Sequence, residues 1–316
     1  MAKTTENKFN SKILLFGEYS AIQNSMSLTL PYQEFSGTLA FDTSDVQSKF
    51  IQTSNQDLKS FALYIEEKLE SKILPITFDI HALKSDIEKG LYFNSSIPQG
   101  FGVGSSGALV AAIYTKYAKD KLSLEQTPKQ EEILALKHTF AILESYFHGN
   151  SSGVDPLICY LNLPLLINGK NGIEPVKVEL DQEGKGAIFL IDTGISRSTE
   201  PLVNYYMQRM EEHTYREFVD KQLKPFANNC IQAFLDGDKE TLFAYLKLLS
   251  KFQLEHFKPM IPKFFNKLWK KGIDTEAYYL KLCGAGGGGY ILGFTKNLEQ
   301  TKQELKGQKL ELLCNI

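Results

Sequence analysis

Apolar residues recur along this chain with two different periods, and each period predicts a different kind of element. Short apolar or alternating runs predict buried strands at residues 12–16, 37–41, 76–80, 91–93, 187–192, 278–283 and 290–294. Apolar residues at helical spacing predict a helix through residues 58–69, with Ser54 and Asp57 as its capping box. Residues 108–118 follow a glycine-rich stretch and also have helical character.

The second half of the chain continues this mixture without a regular alternation of strand and helix. A long helix is predicted after Thr127, its expected N-cap, and should end near Gly149. Residues 161–180 resemble short strands and turns, and helical patterns dominate residues 201–272. The irregular order predicts an α+β protein in two parts. The polar, glycine-containing stretch at residues 181–186 is the candidate boundary.

Composition excludes several classes of function. Of 316 residues, 43% are hydrophobic and 23% charged, and the net charge of −2 provides no basic field for nucleic acid or an anionic membrane. The four cysteines form no C-x-x-C pair, which argues against zinc and against a disulfide framework. The first residues contain no apolar signal core, and no run approaches the roughly 20 apolar residues of a membrane span. We therefore expect a cytoplasmic protein.

The stretch PQGFGVGSSGA, residues 98–108, is the strongest candidate for chemistry. Glycines let backbone N–H groups converge on an anion, and a helix that begins directly afterwards adds its positive end. A Walker A loop is excluded because no Lys follows Gly104, and the dinucleotide fingerprint is excluded because Ser105 stands where its third glycine belongs. A surface loop capped by Ser105 or Ser106 is the alternative interpretation.

Three charged residues could complete a site for phosphoryl transfer, which needs a phosphate cradle, Mg²⁺ ligands, a cation and a proton acceptor. Glu144 precedes the segment GNSSGVD, which ends at Asp155, and Lys12 begins the first predicted strand. Ser105 or Ser106 could offer a hydroxyl to Mg²⁺ and Glu144 a carboxylate oxygen. Asp155 could accept the proton, and Lys12 could stabilise developing charge. Spacing alone does not assemble these residues into one site.

Several motifs in order give the chain a resemblance to the GHMP small-molecule kinases. Residues 12–19 (KILLFGEY), 98–108 and 281–289 (KLCGAGGGG) resemble the first, second and third motifs of that family. Glu144 followed by HGNSSGVD is similar to a stretch of its mevalonate kinase branch. The segment IDTGISRST, after the domain crossover, resembles the same branch.

The resemblance implies roles for individual residues. Asp155 matches the aspartate that orients or deprotonates the substrate hydroxyl, and Lys12 matches the lysine that stabilises the transition state. Ser106 and Glu144 match Mg²⁺ ligands. The phosphates of ATP would contact Gly100, Gly102, Gly104, Ser105, Ser106, Gly107, Gly284 and Gly286. The acid substrate mevalonate would contact Glu18, Tyr19, Ser196 and Arg197, with Arg197 or Lys12 meeting its carboxylate.

The resemblance also implies a fold and an activity. We expect residues 1–183 to form an N-terminal α/β domain with a left-handed βαβ crossover, and residues 184–316 a ferredoxin-like α+β domain. The implied activity is ATP- and Mg²⁺-dependent phosphorylation of the mevalonate 5-hydroxyl in isoprenoid precursor synthesis, and a homodimer is left open. The chain departs from the branch at Tyr19, Gly107 and Ser151, where His, Ala and Pro are usual.

Other activities stay open as alternatives. Phosphomevalonate kinase, mevalonate 3-kinase and diphosphomevalonate decarboxylase share the family motifs, and other members of the family also carry GEY in the first motif. A non-catalytic relative that binds metabolites would bind nucleotide without releasing ADP. A nicotinamide-dependent dehydrogenase is disfavoured because the third fingerprint glycine is missing.

Overall fold

The computed structural model describes the chain over residues 7–42, 48–126, 128–169, 172–178, 181 and 184–316. The chain divides into two compact units, each assembled from several stretches. The first unit comprises the chain up to Lys12, Pro31–Pro98 and Val103–Leu163, and the second comprises Ile13–Leu30, Gln99–Gly102 and Pro164–Ile316. The expected boundary between residues 183 and 184 remains a prediction, and residues 182 and 183 lie outside the described ranges.

The described elements are mixed strands and helices, as the sequence predicts. The strands are β1 (Phe9–Phe16), β2 (Met26–Phe41), β3 (Leu91–Ser95), β4 (Leu165–Asn168), β5 (Gly172–Pro175), β6 (Ala187–Asp192), β7 (Tyr279–Leu282), β8 (Tyr290–Thr295) and β9 (Leu310–Asn315). The helices are α1 (Lys49–Glu70), α2 (Ile80–Glu88), α3 (Ser105–Tyr117), α4 (Gln130–His148), α5 (Val154–Leu161), α6 (Glu200–Arg209), α7 (His213–Phe218), α8 (Lys224–Leu235), α9 (Lys239–His256), α10 (Phe265–Thr275) and α11 (Leu298–Glu304).

The first sheet is organised around the sixteen residues of β2. Its strand order is β1-β2-β4-β5, and β3 also pairs with β2. In the second unit, Met26 at the start of β2 pairs antiparallel with Asn168 of β4. In the first unit, Gly37 near its end pairs antiparallel with Ser95 of β3. The residues of β1 and of β2 are therefore each divided between the two units, β1 after Lys12 and β2 after Leu30.

Helix α1 covers the apolar stripe that the sequence predicts but begins earlier than expected. Its buried residues are Leu58, Phe61, Ala62 and Ile65. The hydroxyl of Ser48 accepts from the N–H of Ile51 and caps the helix. The predicted capping box at Ser54 is wrong, because that hydroxyl instead accepts from the N–H of Phe93 in β3.

The predicted strand at residues 76–80 is also wrong. Phe78 forms only an isolated bridge with Ala118, and Ile80 already belongs to α2. The Asp79 side chain accepts from the N–H of Ala82 and thereby caps this helix. The alternating pattern is therefore interrupted by an N-cap that starts a helix.

Helix α4 confirms the predicted long helix and its end. Thr127, the predicted N-cap, lies outside the described residues. At the observed start of the helix the Glu132 carboxylate accepts from the Lys129 N–H at 2.7 Å, while the lysine side chain, a donor only, caps nothing. The helix ends at His148, and Gly149 follows it with φ +70°. Glycine suits this position because side chains with a Cβ rarely adopt a positive φ.

The second sheet confirms the predicted ferredoxin-like arrangement. Its strand order is β7-β8-β6-β9, and every pairing in it is antiparallel. Helices α6 to α10 connect β6 to β7, and α11 connects β8 to β9. Gly293 of β8 lies opposite Phe189 of β6, whose ring fills the space of a Cβ. The described helices include none that is long and apolar enough to cross a membrane.

Candidate active site

The glycines of residues 98–108 provide the backbone conformations that an anion loop requires. Gly100, Gly102 and Gly104 have φ values of +77°, +74° and +86°. Gly104 is the N-cap of α3, and Ser105 is the first residue of that helix. A Cβ on Gly104 would lie 2.9 Å from Cγ of Lys12. The loop can therefore pass close to the lysine only with glycine at this position.

Gly107 brings α3 against the first turn of α5. A Cβ at this position would lie 2.7 Å from the carbonyl carbon of Asp155 and 2.9 Å from the nitrogen of Pro156. Both neighbours are backbone atoms, so they cannot rotate away as a side chain can. The departure from the usual Ala therefore allows a closer approach of the phosphate-loop helix to Asp155.

Lys12 and Asp155 form an ion pair within the first unit. Lys12 Nζ lies 2.9 Å from Oδ2 of Asp155, and the Lys12 N–H donates to the carbonyl of Val103 in the loop. The lysine side chain is 8% exposed, whereas the aspartate side chain is 36% exposed. The cation is thus fixed, and the carboxylate remains reachable from solvent.

Gly153 sets the start of α5 and therefore the position of Asp155. It has φ +73°, and a Cβ on it would lie 2.1 Å from the carbonyl oxygen of Lys137 in α4. Asp155 is the second residue of α5 and lies in its first turn. A carboxylate is stabilised there by the positive end of the helix.

Glu144 is held on both carboxylate oxygens. The Ser106 hydroxyl donates to Oε1 at 3.2 Å, and the Ser151 hydroxyl donates to Oε2 in a shorter hydrogen bond. Glu144 is 3% exposed. Burial, assisted by the negative charge of Asp155, raises the pKa of Glu144 to about 7 against the opposing effects of Ser151, Lys12 and Ser106.

Ser151 and His148 are two members of this network that sequence reasoning did not place in the site. His148 Nε2 lies 3.0 Å from the Ser106 hydroxyl, and Ser151 Oγ also accepts from the Gly153 N–H at 3.0 Å. The replacement of the usual Pro by Ser151 is the signal in the sequence that could have indicated a new hydrogen bond. Nothing comparable in the sequence distinguishes His148 from an ordinary helix-end residue.

The residues around Ser106 and Glu144 fit the expected Mg²⁺. One hydroxyl oxygen and one carboxylate are hard ligands, and each is oriented by a neighbouring hydrogen bond. Among the described residues, no group of three His, Cys, Asp or Glu side chains converges as a metal site.

Arg197 lies against both glycine loops in the second unit. Its N–H donates to the Gly100 carbonyl at 3.1 Å, and its guanidinium donates to the carbonyl of Cys283 at 3.4 Å. One guanidinium nitrogen occupies the space of a Cβ on Gly102 and lies 2.9 Å from the Cβ position of Gly284. The neighbouring Ser196 lies 3.3 Å from the Cβ position of Gly100.

The third glycine loop follows β7 and depends on positive φ values. Gly284 and Gly286 both have φ +74°. The N–H of Gly287 donates to the carbonyl of Met260, and the N–H of Gly289 donates to that of Ile195 at 2.7 Å. These are backbone contacts that leave no room for side chains on the loop, since a Cβ on Gly286 would lie 2.4 Å from the Met260 oxygen.

Glu18 and Tyr19, expected to contact the substrate, are buried within the second unit. The Glu18 carboxylate forms an ion pair with Lys281, and the side chains are 2% and 1% exposed. The Tyr19 hydroxyl donates to the Ala285 carbonyl at 2.6 Å. Both polar groups are therefore engaged by the third glycine loop or by the strand that leads into it.

The predicted residues thus fall into two groups. The first unit brings together Lys12, Ser106, Glu144 and Asp155 around the start of α3. The second unit brings together Gly100, Gly102, Ser196, Arg197 and Gly284. It places Glu18 and Tyr19 against the third glycine loop instead.

Comparison with known proteins bears on the fold. Residues 58–162 match the family model of the GHMP kinases N terminal domain. The two-part α+β fold is that of solved GHMP kinases. No curated protein sequence matches the chain significantly.

Solved structures of several kinases share the fold at low sequence identity. The L. major mevalonate kinase in complex with R-mevalonate matches with a TM-score of 0.63 and 18% identity, over 96% of this chain and 91% of that one. Streptococcus pneumoniae phosphomevalonate kinase in complex with phosphomevalonate and AMPPNP gives 0.62 and 16%, over 97% and 99%. Lactococcus lactis galactokinase complexed with galactose gives 0.65 and 12%, over 99% and 94%.

Proposed function

We propose that the chain is an ATP-dependent kinase that phosphorylates the 5-hydroxyl of mevalonate. The observation that carries the proposal is the 2.9 Å ion pair between Lys12 and Asp155 beside the phosphate loop. The Ser106–Glu144 pair in the same unit supports it, because the two pairs together supply the parts that phosphoryl transfer needs. The motif HGNSSGVD supports mevalonate among the possible alcohols.

Asp155 is the group that would receive the substrate hydroxyl. The alcohol oxygen forms a bond to the γ-phosphorus of ATP, the bond from that phosphorus to the bridging oxygen breaks, and ADP leaves. The hydroxyl proton passes to the Asp155 carboxylate. A carboxylate is a weak base towards an alcohol, but a loose transition state lets the proton leave late, so orientation contributes more than basicity.

Lys12 and the phosphate loop would stabilise charge. The Lys12 ammonium is held beside Asp155 and would lie against the hydroxyl that Asp155 orients. The N–H groups at the start of α3 would bind phosphate oxygens. Mg²⁺, when held by Ser106 and Glu144, would neutralise negative charge on the phosphates.

Arg197 would recognise the acid substrate. Its guanidinium lies beside Gly102 and Gly284, and a planar fork of donors suits a carboxylate. A phosphate would suit the same fork, so Arg197 does not separate mevalonate from a phosphorylated acceptor. Because phosphomevalonate kinases also carry GEY in the first motif, as residues 17–19 do here, phosphomevalonate kinase is the second candidate.

An ADP-release assay over mevalonate, phosphomevalonate, homoserine and galactose tests the proposal. Turnover should be fastest with mevalonate and should be lost in Asp155→Ala, while nucleotide binding survives. Asp86→Ala is the matched control, because Asp86 forms a 2.9 Å pair with Lys116 elsewhere in the first unit. Preference for another alcohol overturns the substrate, and near-normal activity of Asp155→Ala overturns the mechanism.

A further inference from the structure

The segment Gly17–Tyr19 lies directly after β1 and is fixed in an unusual conformation. Gly17 has φ +109°, and a Cβ on it would lie 2.3 Å from Cβ of Ser27. Tyr19 has φ +62° although it carries a large side chain. A positive φ in a bulky residue is strained and persists only where surrounding contacts enforce it. The contacts that Glu18 and Tyr19 make must therefore hold this conformation.

Glu18 holds the start of the third glycine loop. Its partner Lys281 lies on β7, two residues before Cys283, and also donates to the carbonyl of Leu282 at 2.7 Å. Both charged side chains are almost completely buried. A buried charge is tolerated only when it is paired, and such pairs gain little stability over apolar residues but can fix one arrangement of the chain. The pair therefore fixes the position of β7, and of the loop that follows it, against the segment after β1.

Tyr19 holds the middle of the same loop. Its hydroxyl donates to the Ala285 carbonyl, and its ring packs against Tyr206 and Phe257 with centroids 4.8 and 5.0 Å away. A trans peptide directs C=O and the next N–H to opposite sides. Because the Ala285 carbonyl faces Tyr19, the N–H of Gly286 faces the opposite way, the orientation it needs to donate to an anion on that side.

The loop needs such support because of its composition. Residues 284–289 include five glycines, and glycine loses more conformational freedom on ordering than any other residue. A loop that must be ordered when a ligand arrives binds more weakly than one that is already ordered. Contacts at Lys281 and Ala285 reduce this cost, since they order the loop beforehand.

We propose that Glu18 and Tyr19 are positioning residues that preorganise the third glycine loop for the phosphates of ATP, and that they do not contact the acceptor alcohol. This inference rests on the proposed function, because it assumes that the loop binds nucleotide. It assigns the second half of the first motif to nucleotide affinity, whereas the Lys12 end of that motif serves the chemistry.

Tyr19→Phe tests the inference, because it removes only the hydroxyl. The Kd for AMPPNP, measured by calorimetry without turnover, should rise about tenfold, the equivalent of one buried hydrogen bond. The KM for ATP should rise in parallel, while kcat and the KM for the alcohol stay within about twofold of the wild-type values.

Tyr206→Phe is the matched control. Tyr206 is fully buried in the same aromatic cluster, and within the described residues its hydroxyl has no hydrogen-bond partner. Its AMPPNP affinity should equal that of the wild type. Equal affinities in the Tyr19 and Tyr206 variants would overturn the inference. A rise in the KM for the alcohol with unchanged AMPPNP affinity would overturn it as well, in favour of direct substrate contact.

The ion pair is tested by Glu18→Gln, Lys281→Met and the double variant. Each single change leaves a buried charge without its partner and should lower the melting temperature, whereas the double variant should recover it. Nucleotide affinity should remain about tenfold reduced in the double variant, because the tie to the loop is still absent. Recovery of affinity together with stability would show a merely structural pair and overturn the role of Glu18.

The two proposals fail in different ways. Loss of the positioning role appears as unchanged AMPPNP affinity in the Tyr19 and double variants, with turnover intact. Loss of the proposed function appears as absent or Asp155-independent turnover in the wild-type chain, whatever the Tyr19 variant does. An AMPPNP affinity that is too weak to measure in the wild type would overturn both.

Discussion

Two lysine–carboxylate pairs, both drawing on the first motif, differ in what they can do. Lys12–Asp155 is 2.9 Å long, and the aspartate side chain is 36% exposed. Lys281–Glu18 has side chains only 1% and 2% exposed. The first carboxylate can exchange part of its interaction with lysine for a substrate hydroxyl. The second cannot be reached without unpacking its unit. The two pairs therefore suit the different roles proposed for them, catalysis for Lys12–Asp155 and loop geometry for Lys281–Glu18.

Exposure, and not the presence of a charge pair, is therefore the difference between the pair proposed for catalysis and the pair proposed to position the loop. Glu144 stands between the two cases. It is as buried as Glu18, but two hydroxyls contact its oxygens instead of a lysine. Burial favours the protonated form of Glu144, so a bound cation would replace that proton and stabilise the carboxylate, which agrees with the proposed role in holding Mg²⁺.

Replacement of the two lysines should give the largest difference between the two pairs. Lys12→Met should lower kcat by about 10²–10³, the typical cost of removing one group that stabilises transition-state charge. Lys281→Met should instead lower the free energy of unfolding by about 3 kcal/mol, because Glu18 loses its cation in a buried position, and should retain turnover at saturating ATP. Urea denaturation and steady-state kinetics on both variants distinguish the two effects. A reversed pattern contradicts the comparison.

Gly107→Ala tests how closely the first pair depends on packing. The added methyl would lie 2.7 Å from the Asp155 carbonyl carbon, so α5 must shift by some tenths of an ångström. We expect kcat to fall about tenfold or more, since small displacements of reacting groups reduce rate strongly. AMPPNP affinity should change less than kcat. Unchanged kcat would mean that the close approach has no role.

Ser151→Ala should weaken metal binding by about tenfold, the range seen when a partner of a metal ligand is removed. Ser152→Ala is the control. Each serine hydroxyl accepts from a backbone N–H two residues later, that of Gly153 for Ser151 and that of Val154 for Ser152. The Ser151 hydroxyl also donates to the Glu144 carboxylate. Titration of Mn²⁺ in the presence of AMPPNP, followed by electron paramagnetic resonance, should separate the variants. Equal loss in both would assign Ser151 a turn-forming role alone.

The last expected effect is on stability and not on activity. Glu144 has a pKa of about 7 in the folded chain against 4.5 for an unperturbed Glu, so the folded chain binds the proton more tightly. Its contribution to stability is fully present below pH 4.5 and is lost as pH rises from 4.5 to 7, by on the order of 3 kcal/mol. In chelator, Glu144→Gln should flatten this part of the curve of unfolding free energy against pH. An unchanged slope would contradict the burial effect.

Local patterns predicted much of the fold. The apolar runs at β1, β6 and β8 and the helical stripe of α1 appear in the structure. The strand predicted at residues 76–80 was wrong because Asp79 caps a helix there. The alternation of apolar residues alone cannot reveal that a capping residue starts a helix within the run. Only residues 37–41 of β2 were predicted as a strand. Pro31 lies between the segment paired with β4 and the segment paired with β3, where neither of these two ladders needs its N–H.

The sequence predicted the site residues that belong to recognisable motifs, but not the contacts between distant segments. Motif order indicated Lys12, Ser106, Glu144 and Asp155, and the first unit brings these together. The burial of Glu18 against Lys281 was not predictable, because it depends on a pairing between segments more than 250 residues apart in sequence, which no local pattern encodes.

A direct comparison of Asp155→Asn and Glu18→Gln in single-turnover ADP formation at saturating ATP tests the central distinction between the two pairs. The first variant should be slower than the wild type by more than about 10³-fold, because Asp155 is the group proposed to receive the hydroxyl proton. The second should stay within about threefold of the wild-type rate, because saturating ATP overcomes a weakened loop. If Glu18→Gln is as slow as Asp155→Asn, or if Asp155→Asn reacts at the wild-type rate, the distinction is wrong.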